Sequence, residues 1–179
     1  VKTGYTFTGW NTLAAGTGTH YNTGATFLMP AAATTLYADW TGTVTYNGNT
    51  NTSGLAPTDA TAYHPATTVT VLGNTGALAK TGYTFAGWNT QANGLGTNYV
   101  AGNTFPFNGN ITLYARWNIN TYTLTYTAGA NGTVTGTSPQ TVNHGANGTA
   151  VTAVPNTGYH FVSWSDGVLT ASRTDTNVT

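Results

Sequence analysis

The chain has 179 residues, of which 39% are hydrophobic and only 4% charged, against about 25% charged in an average soluble protein. With 4 cationic and 4 acidic side chains the formal net charge is zero, so the clustered Lys and Arg that nucleic acids and anionic membranes require are missing. Cysteine is absent as well, which rules out thiol catalysis, cysteine-bound metal and disulfide staples.

Residues 1–40 open with Lys2-Thr-Gly-Tyr-Thr-Phe-Thr-Gly-Trp-Asn-Thr12, pass through Gly18-Thr-His-Tyr21 and close on Leu36-Tyr-Ala-Asp-Trp40. The opening carries no basic region followed by an apolar run, so it does not read as an export signal. Ala31–Ala33 follow Pro30 and are too few to hold a helix. Residues 41–117 begin with Thr43-Val-Thr-Tyr46, and Thr68-Val-Thr-Val-Leu72 comes next. Then the first segment returns: Lys80-Thr-Gly-Tyr-Thr-Phe-Ala-Gly-Trp-Asn-Thr90, Gly96-Thr-Asn-Tyr99 and Leu113-Tyr-Ala-Arg-Trp117. Residues 118–179 contain Thr121-Tyr-Thr-Leu-Thr-Tyr-Thr127, Ala150-Val-Thr-Ala-Val154 and the weaker echo Asn156-Thr-Gly-Tyr-His-Phe-Val-Ser-Trp164. The spacing from Trp10 to Trp88 is 78 residues and from Trp88 to Trp164 is 76, and a fixed period of this kind marks a tandem array.

The local pattern has a period of two. In Thr121–Thr127 the residues Tyr122, Leu124 and Tyr126 share one face and threonines take the other, as in a half-buried strand. The runs at 43–46, 68–72, 112–117 and 150–154 read the same way. Asn-Gly pairs at 47–48, 93–94, 108–109, 131–132 and 147–148 supply the positive φ of tight turns. The expected class is mainly β, with little helix. No run is long and apolar enough to cross a membrane as a helix.

The three ordered motifs Gly-Tyr-Thr-Phe-x-Gly-Trp, Gly-x-x-Tyr and Leu-Tyr-Ala-x-Trp in residues 1–117 resemble the Listeria–Bacteroides repeat, also called the internalin B-repeat. Residues 118–179 are similar to the divergent branch of that family through Tyr122–Tyr126, Asn131-Gly-Thr-Val134 and Gly158–Trp164. The resemblance implies small β-grasp-like modules strung along surface proteins of bacteria and archaea, with no catalytic residues and no cofactor. On this reading residues 41–117 form a complete module. Residues 1–40 match the C-terminal half of one, and residues 118–179 a divergent one without its last strand. The two end modules are therefore expected to be completed from outside the sequence, by the same polypeptide or by neighbouring copies.

The repeated aromatic positions are assigned to module cores: Tyr5, Phe7, Trp10, Tyr37 and Trp40 in the first module; Tyr83, Phe85, Trp88, Tyr114 and Trp117 in the second; Tyr159, Phe161 and Trp164 in the third. A module of this size needs large side chains, each burying about 150–250 Å². The competing assignment is an aromatic platform for sugars. The histidines His20, His64, His144 and His160 show no metal-ligand spacing. Of the aspartates, Asp39 stands where Arg116 stands in the next copy and reads as a variable position, and Asp166-Gly167 reads as a turn. Asn-x-Ser/Thr sequons at Asn51, Asn110, Asn131, Asn147 and Asn177 are candidate glycosylation sites in an exported chain. These readings together predict a non-enzymatic spacer, stalk or fibre segment at the cell surface or in an extracellular filament, with an adhesin-associated role in view. Its expected partners are neighbouring modules or copies packed head to tail by strand complementation. A carbohydrate-binding adhesion module, with glycans as partners, is the alternative.

Overall fold

The computed structural model describes residues 1–179 and contains strands and turns but no helix. Its residues form two compact units, one of Val1–Lys80 with Phe85–Trp117 and the other of Thr81–Thr84 with Asn118–Thr179.

The first unit begins with strands β1 (Thr6–Asn11), β2 (His20–Tyr21) and β3 (Tyr37–Thr41), an antiparallel sheet in the order β2-β1-β3. Its second part contains β4 (Val44–Asn47), β5 (Thr68–Thr70), most of β6 (Tyr83–Asn89), β7 (Asn98–Tyr99), β8 (Thr104–Pro106) and most of β9 (Ile111–Ile119). Four of these make a sheet in the order β4-β9-β6-β7, with β4 and β9 parallel, and β5 pairs with β8. The repeat is visible in the pairing. Trp10 faces Tyr21 and Asn11 faces His20, just as Trp88 faces Tyr99 and Asn89 faces Asn98.

The β-branched runs alternate as a one-sided sheet requires: Val44 and Tyr46 are buried while Thr45 and Asn47 are exposed. Val44, Tyr46, Val69, Val71, Leu78, Trp88, Phe107, Leu113 and Ala115 make one core, with Phe85 and Trp117 packed against it. Tyr46 meets Trp88 edge to face at 4.8 Å, and Phe85 touches both Trp88 at 5.2 Å and Trp117 at 5.6 Å. The indole N–H groups are satisfied by backbone: Trp88 donates to the Leu72 carbonyl at 2.9 Å, and Trp117 to the Gly48 and Asn49 carbonyls.

Glycine in the Phe-x-Gly-Trp motif has a structural cause. At Gly9 and Gly87 φ is +145° and +105°, and a Cβ would stand 2.2 Å from the Tyr21 carbonyl oxygen and 2.5 Å from that of Tyr99. Only glycine tolerates both the conformation and the close approach. The register of β1 on β3 shifts between Phe7 and Gly9, so the glycine marks a bulge.

The second unit pairs β10 (Thr121–Leu124) with β12 (Gln140–Asn143), and builds a sheet in the order β11-β13-β14 from β11 (Gly132–Gly136), β13 (Val151–Pro155) and β14 (Ser172–Arg173). The alternating run from Thr121 to Thr127 is thus a strand only as far as Leu124, and Tyr159–Trp164 belongs to no strand.

Candidate functional site

The structure separates the aromatic repeat positions by environment. Trp88 is 0% exposed, whereas Trp10, at the same repeat position, is 43% exposed. Phe7, Tyr37 and Tyr159 are also exposed, so the expectation that these four rings are enclosed is corrected. Their ring geometry is not at fault. Phe7 meets Trp10 at 5.6 Å and Trp40 at 5.4 Å, much as Phe85 meets Trp88 and Trp117. What differs is cover: Tyr46 and Leu72 close over Trp88, and no corresponding pair lies on Trp10. Tyr5, Trp40, Tyr83, Tyr114, Phe161 and Trp164 are partly buried. Tyr5 packs edge-on against Phe107 at 5.7 Å.

Two polar clusters stand out. The first joins β1, β2 and β3 to the second half of the same unit. Asp39 is 3% exposed and accepts hydrogen bonds from Asn11 Nδ2 at 3.1 Å and His20 Nδ1 at 2.8 Å. His64 Nδ1 lies 3.0 Å from its other oxygen, but the ring N–H is not aligned on it, so this contact is electrostatic. Asp39 is therefore a buried, shared carboxylate and not merely a variable position, and His20 and His64 do converge. Hydrogen bonding to Asp39 raises the His20 pKa above the ordinary imidazole value. Burial pushes the Asp39 carboxyl up, but the hydrogen bonds from His20 and Asn11, with the charges of the two histidines, outweigh it and hold the carboxyl below its usual range. Chemically the pair resembles a base with its orienting acid. No nucleophile completes it, because His20 Nε2 faces Asn22 Oδ1 at 3.2 Å. No group of three metal-ligating side chains is assembled anywhere in the chain.

The second cluster lines a groove of about 740 Å³ in the second unit. Arg173 bonds Asp166 at 2.9 Å and Asp175, and its guanidinium lies 5.4 Å from the Trp164 ring centroid. The Tyr126 hydroxyl donates to Asp175 at 2.6 Å. Burial and that carboxylate push the phenol up to about 12. Two carboxylates on one groove invite comparison with a glycosidase pair, which needs one acid held protonated. Here the hydrogen bond from Arg173 lowers Asp166, and those from Tyr126 and Arg173 lower Asp175, so neither side chain is poised as that acid. Asp166 also stands in the expected turn, closed by Gly167 N–H donating to the Trp164 carbonyl.

The other candidates are dispersed. His144 lies within 3.3 Å of the Tyr122 hydroxyl, and His160 is exposed. Asn110, Asn131, Asn147 and Asn177 are exposed, while Asn51 is half-buried and donates to the Ser53 and Gly54 carbonyls. Sequence reasoning missed Asn11 and Asn89, both 1% exposed. Asn89 donates to the Gly94 and Gly96 carbonyls and to Asn98, and accepts from the Gln91 and Gly96 N–H groups. Asn11 holds its own loop through Gly16, Leu13 and Gly18. The signal was present in the Gly-Trp-Asn repeat, but asparagine in a turn-rich chain does not announce a buried role.

Comparison with known proteins assigns residues 1–39 and 43–116 to the Listeria-Bacteroides repeat domain and residues 122–179 to the divergent InlB B-repeat domain. Among similar proteins are a "Putative Gly-rich membrane protein" of Evansella cellulosilytica, 38% identical over 74% of this chain, and a "Putative membrane protein" of the same organism, 42% identical over 56%. Internalin H of Listeria monocytogenes is 38% identical over 66% of this chain. The matches span 16%, 16% and 20% of these relatives' own lengths. No solved structure matches the chain.

Proposed function

The chain belongs to the Listeria-Bacteroides repeat family, with a divergent InlB B-repeat at residues 122–179, and from that premise we propose that it is a structural repeat segment of a bacterial or archaeal surface protein. Its task is mechanical: to space, stiffen or extend, as a stalk or fibre, with any adhesive part carried elsewhere. The modules at 1–40, 41–117 and 118–179 follow one β-grasp-like plan in this reading. The observation that carries it is the use of the aromatic side chains at 41–117. Trp88 is fully enclosed, Trp117 and Phe85 pack on the same core, and both indole N–H groups are bound to backbone. Rings so placed hold a module together and are not presented to a ligand.

The exposure of Phe7, Trp10 and Tyr37 favours the second reading, a sugar platform. Against it, Phe7 makes interplanar angles of 80° with Trp10 and 61° with Trp40, which is edge packing and not a flat stacking surface. A glycan array probed with the 179-residue chain separates the two. The structural reading expects no saccharide bound above background. A saccharide whose binding is lost on Trp10→Ala, with the fold retained, would replace it with the platform.

A further inference from the structure

Asp39 belongs to residues 1–40 and His64 to residues 41–117, so their contact joins two successive repeats inside the first unit. Strand geometry sets this contact apart from the aromatic core. Trp10 pairs with Ala38 and Gly9 with Asp39 across β1 and β3, and successive residues of a strand point to opposite faces. The Asp39 carboxylate therefore stands on the face opposite the Trp10 ring, and its surroundings do not depend on what covers that ring. His64 reaches it from the segment that follows β4. That segment is strapped to the end of β3, where Gly42 and Tyr63 exchange both backbone hydrogen bonds at 2.9 Å. Two further bonds cross between the repeats, from the Asn110 N–H to the Gly4 carbonyl at 2.7 Å and from the Tyr5 hydroxyl to the Phe107 carbonyl at 3.4 Å. The His64 ring lies over Gly16 in the β1–β2 loop, where a Cβ would come within 2.3 Å of Nδ1. The next copy is built differently. Asp39, His20 and Gly16 correspond there to Arg116, Asn98 and Gly94, and a Cβ on Gly94 would meet nothing within 4 Å.

We propose that Asp39, His20 and His64 form an acid-tightened latch between the first two repeats, closed while the imidazoles are charged and loosened as they lose their protons. A carboxylate as buried as Asp39, 3% exposed, needs cations or donors around it. The charges acting on it come from His20 on β2 and His64 on the strap. Asp59 and Tyr63, on the same strap, bond one another at 2.8 Å. Charged, His64 is held by attraction 3.0 Å from Asp39 Oδ1. Neutral, it offers Nδ1 either as a lone pair, which the carboxylate repels, or as an N–H that is not aligned on it. His20 and Asn11 keep their hydrogen bonds to Asp39 Oδ2 at 2.8 Å and 3.1 Å. Asp39 thus stays satisfied within the first repeat while the bond across the junction weakens. Hydrogen bonding to Asp39 also raises His20 above its ordinary value, so the stability it contributes is full in acid and lost as pH rises. That is the same direction as the His64 contact. The inference rests on reading the chain as a mechanical repeat segment and makes one junction of it responsive to pH. It fails separately, because a junction of constant stiffness still spaces.

Amide hydrogen exchange in the intact 179-residue chain tests the latch, with each rate taken relative to that of the unstructured amide at the same pH so that the intrinsic pH dependence cancels. The comparison is between about pH 5.5 and about pH 8, across the range in which imidazoles titrate. Protection of the Tyr63 and Asn110 amides should fall at least about ten-fold, while the amides of β9 hold theirs. His64→Gln should leave both reporters weakly protected at either pH and so abolish the fall. Gly16→Ala, whose methyl evicts the His64 ring, should do the same. Gly94→Ala is the matched control: its φ is +77° against +75° at Gly16, and its methyl meets nothing. It carries the same backbone strain and should leave the fall intact. Four results overturn the proposal: protection at Tyr63 and Asn110 that does not change with pH in the wild-type chain, a fall that survives His64→Gln, equal effects of Gly16→Ala and Gly94→Ala, or a parallel loss in β9, which is unfolding of the whole unit and not the opening of a junction.

Discussion

Trp10 and Trp88 occupy one repeat position with different burial, so truncating each measures the cover and not the residue type. Trp88 is 0% exposed. Removing an indole that buries about 200 Å² forfeits about 5 kcal/mol at about 25 cal/mol per Å². Loss of its hydrogen bond to the Leu72 carbonyl and its edge contacts with Tyr46 and Phe85 adds to this, and partial collapse of the site subtracts. The expected cost of Trp88→Ala is about 3–5 kcal/mol. Trp10 is 43% exposed and its ring touches Phe7, so Trp10→Ala should cost roughly 2–3 kcal/mol on the same area scale. Native-state hydrogen exchange reads both, from the amides of β9 for the first and of β3 for the second. Equal costs at the two positions would refute the argument that the half-module at 41–80 is what encloses the ring.

Asn89→Leu should cost about 1–3 kcal/mol by urea denaturation, since it removes the buried amide that the Gln91 and Gly96 N–H groups donate to and leaves these part-buried donors without that partner; a cost below about 0.5 kcal/mol would show that the loop re-satisfies itself. Gly87→Ala places a methyl 2.5 Å from the Tyr99 carbonyl at a φ of +105° and should loosen the β6–β7 pairing, visible as accelerated amide exchange at Asn98 and Tyr99. The Asp39 cluster predicts a pH window. The raised His20 contributes stability that is complete below the unfolded histidine value of about 6.5 and is lost as pH rises through its folded value. The lowered Asp39 contributes stability present above 3.8 and lost as pH falls through its folded value. The first unit should therefore be most stable between about pH 4 and 6.5, and thermal melts of His20→Asn, the residue present at Asn98, should lose the decline on the alkaline side.

Much of the fold was legible because one physical signal, period-two alternation of Thr with Val, Leu or Tyr, was strong and repeated. The runs at 43–46, 68–72, 112–117 and 150–154 appear as β4, β5, β9 and β13 with small shifts of boundary. What the pattern could not show is which strands lie side by side, and that is why Trp10 and Trp88 looked equivalent. The Asp39 cluster was illegible for a different reason. His64 lies 25 positions from Asp39 in a stretch with no counterpart in residues 1–40, so no repeat comparison could pair them. Asn11 and Asn89 were hidden by composition, in a chain where asparagine is common in exposed turns.

The central claim is that residues 41–117 form a mechanical module held by one aromatic core, and stretching a single molecule tests it most directly. These 77 residues span about 250–280 Å when fully extended. The account predicts a discrete rupture that releases this contour length, less the folded end-to-end distance, and that disappears in Trp88→Ala. A featureless extension with no cooperative event, or an unchanged rupture in that variant, would contradict it.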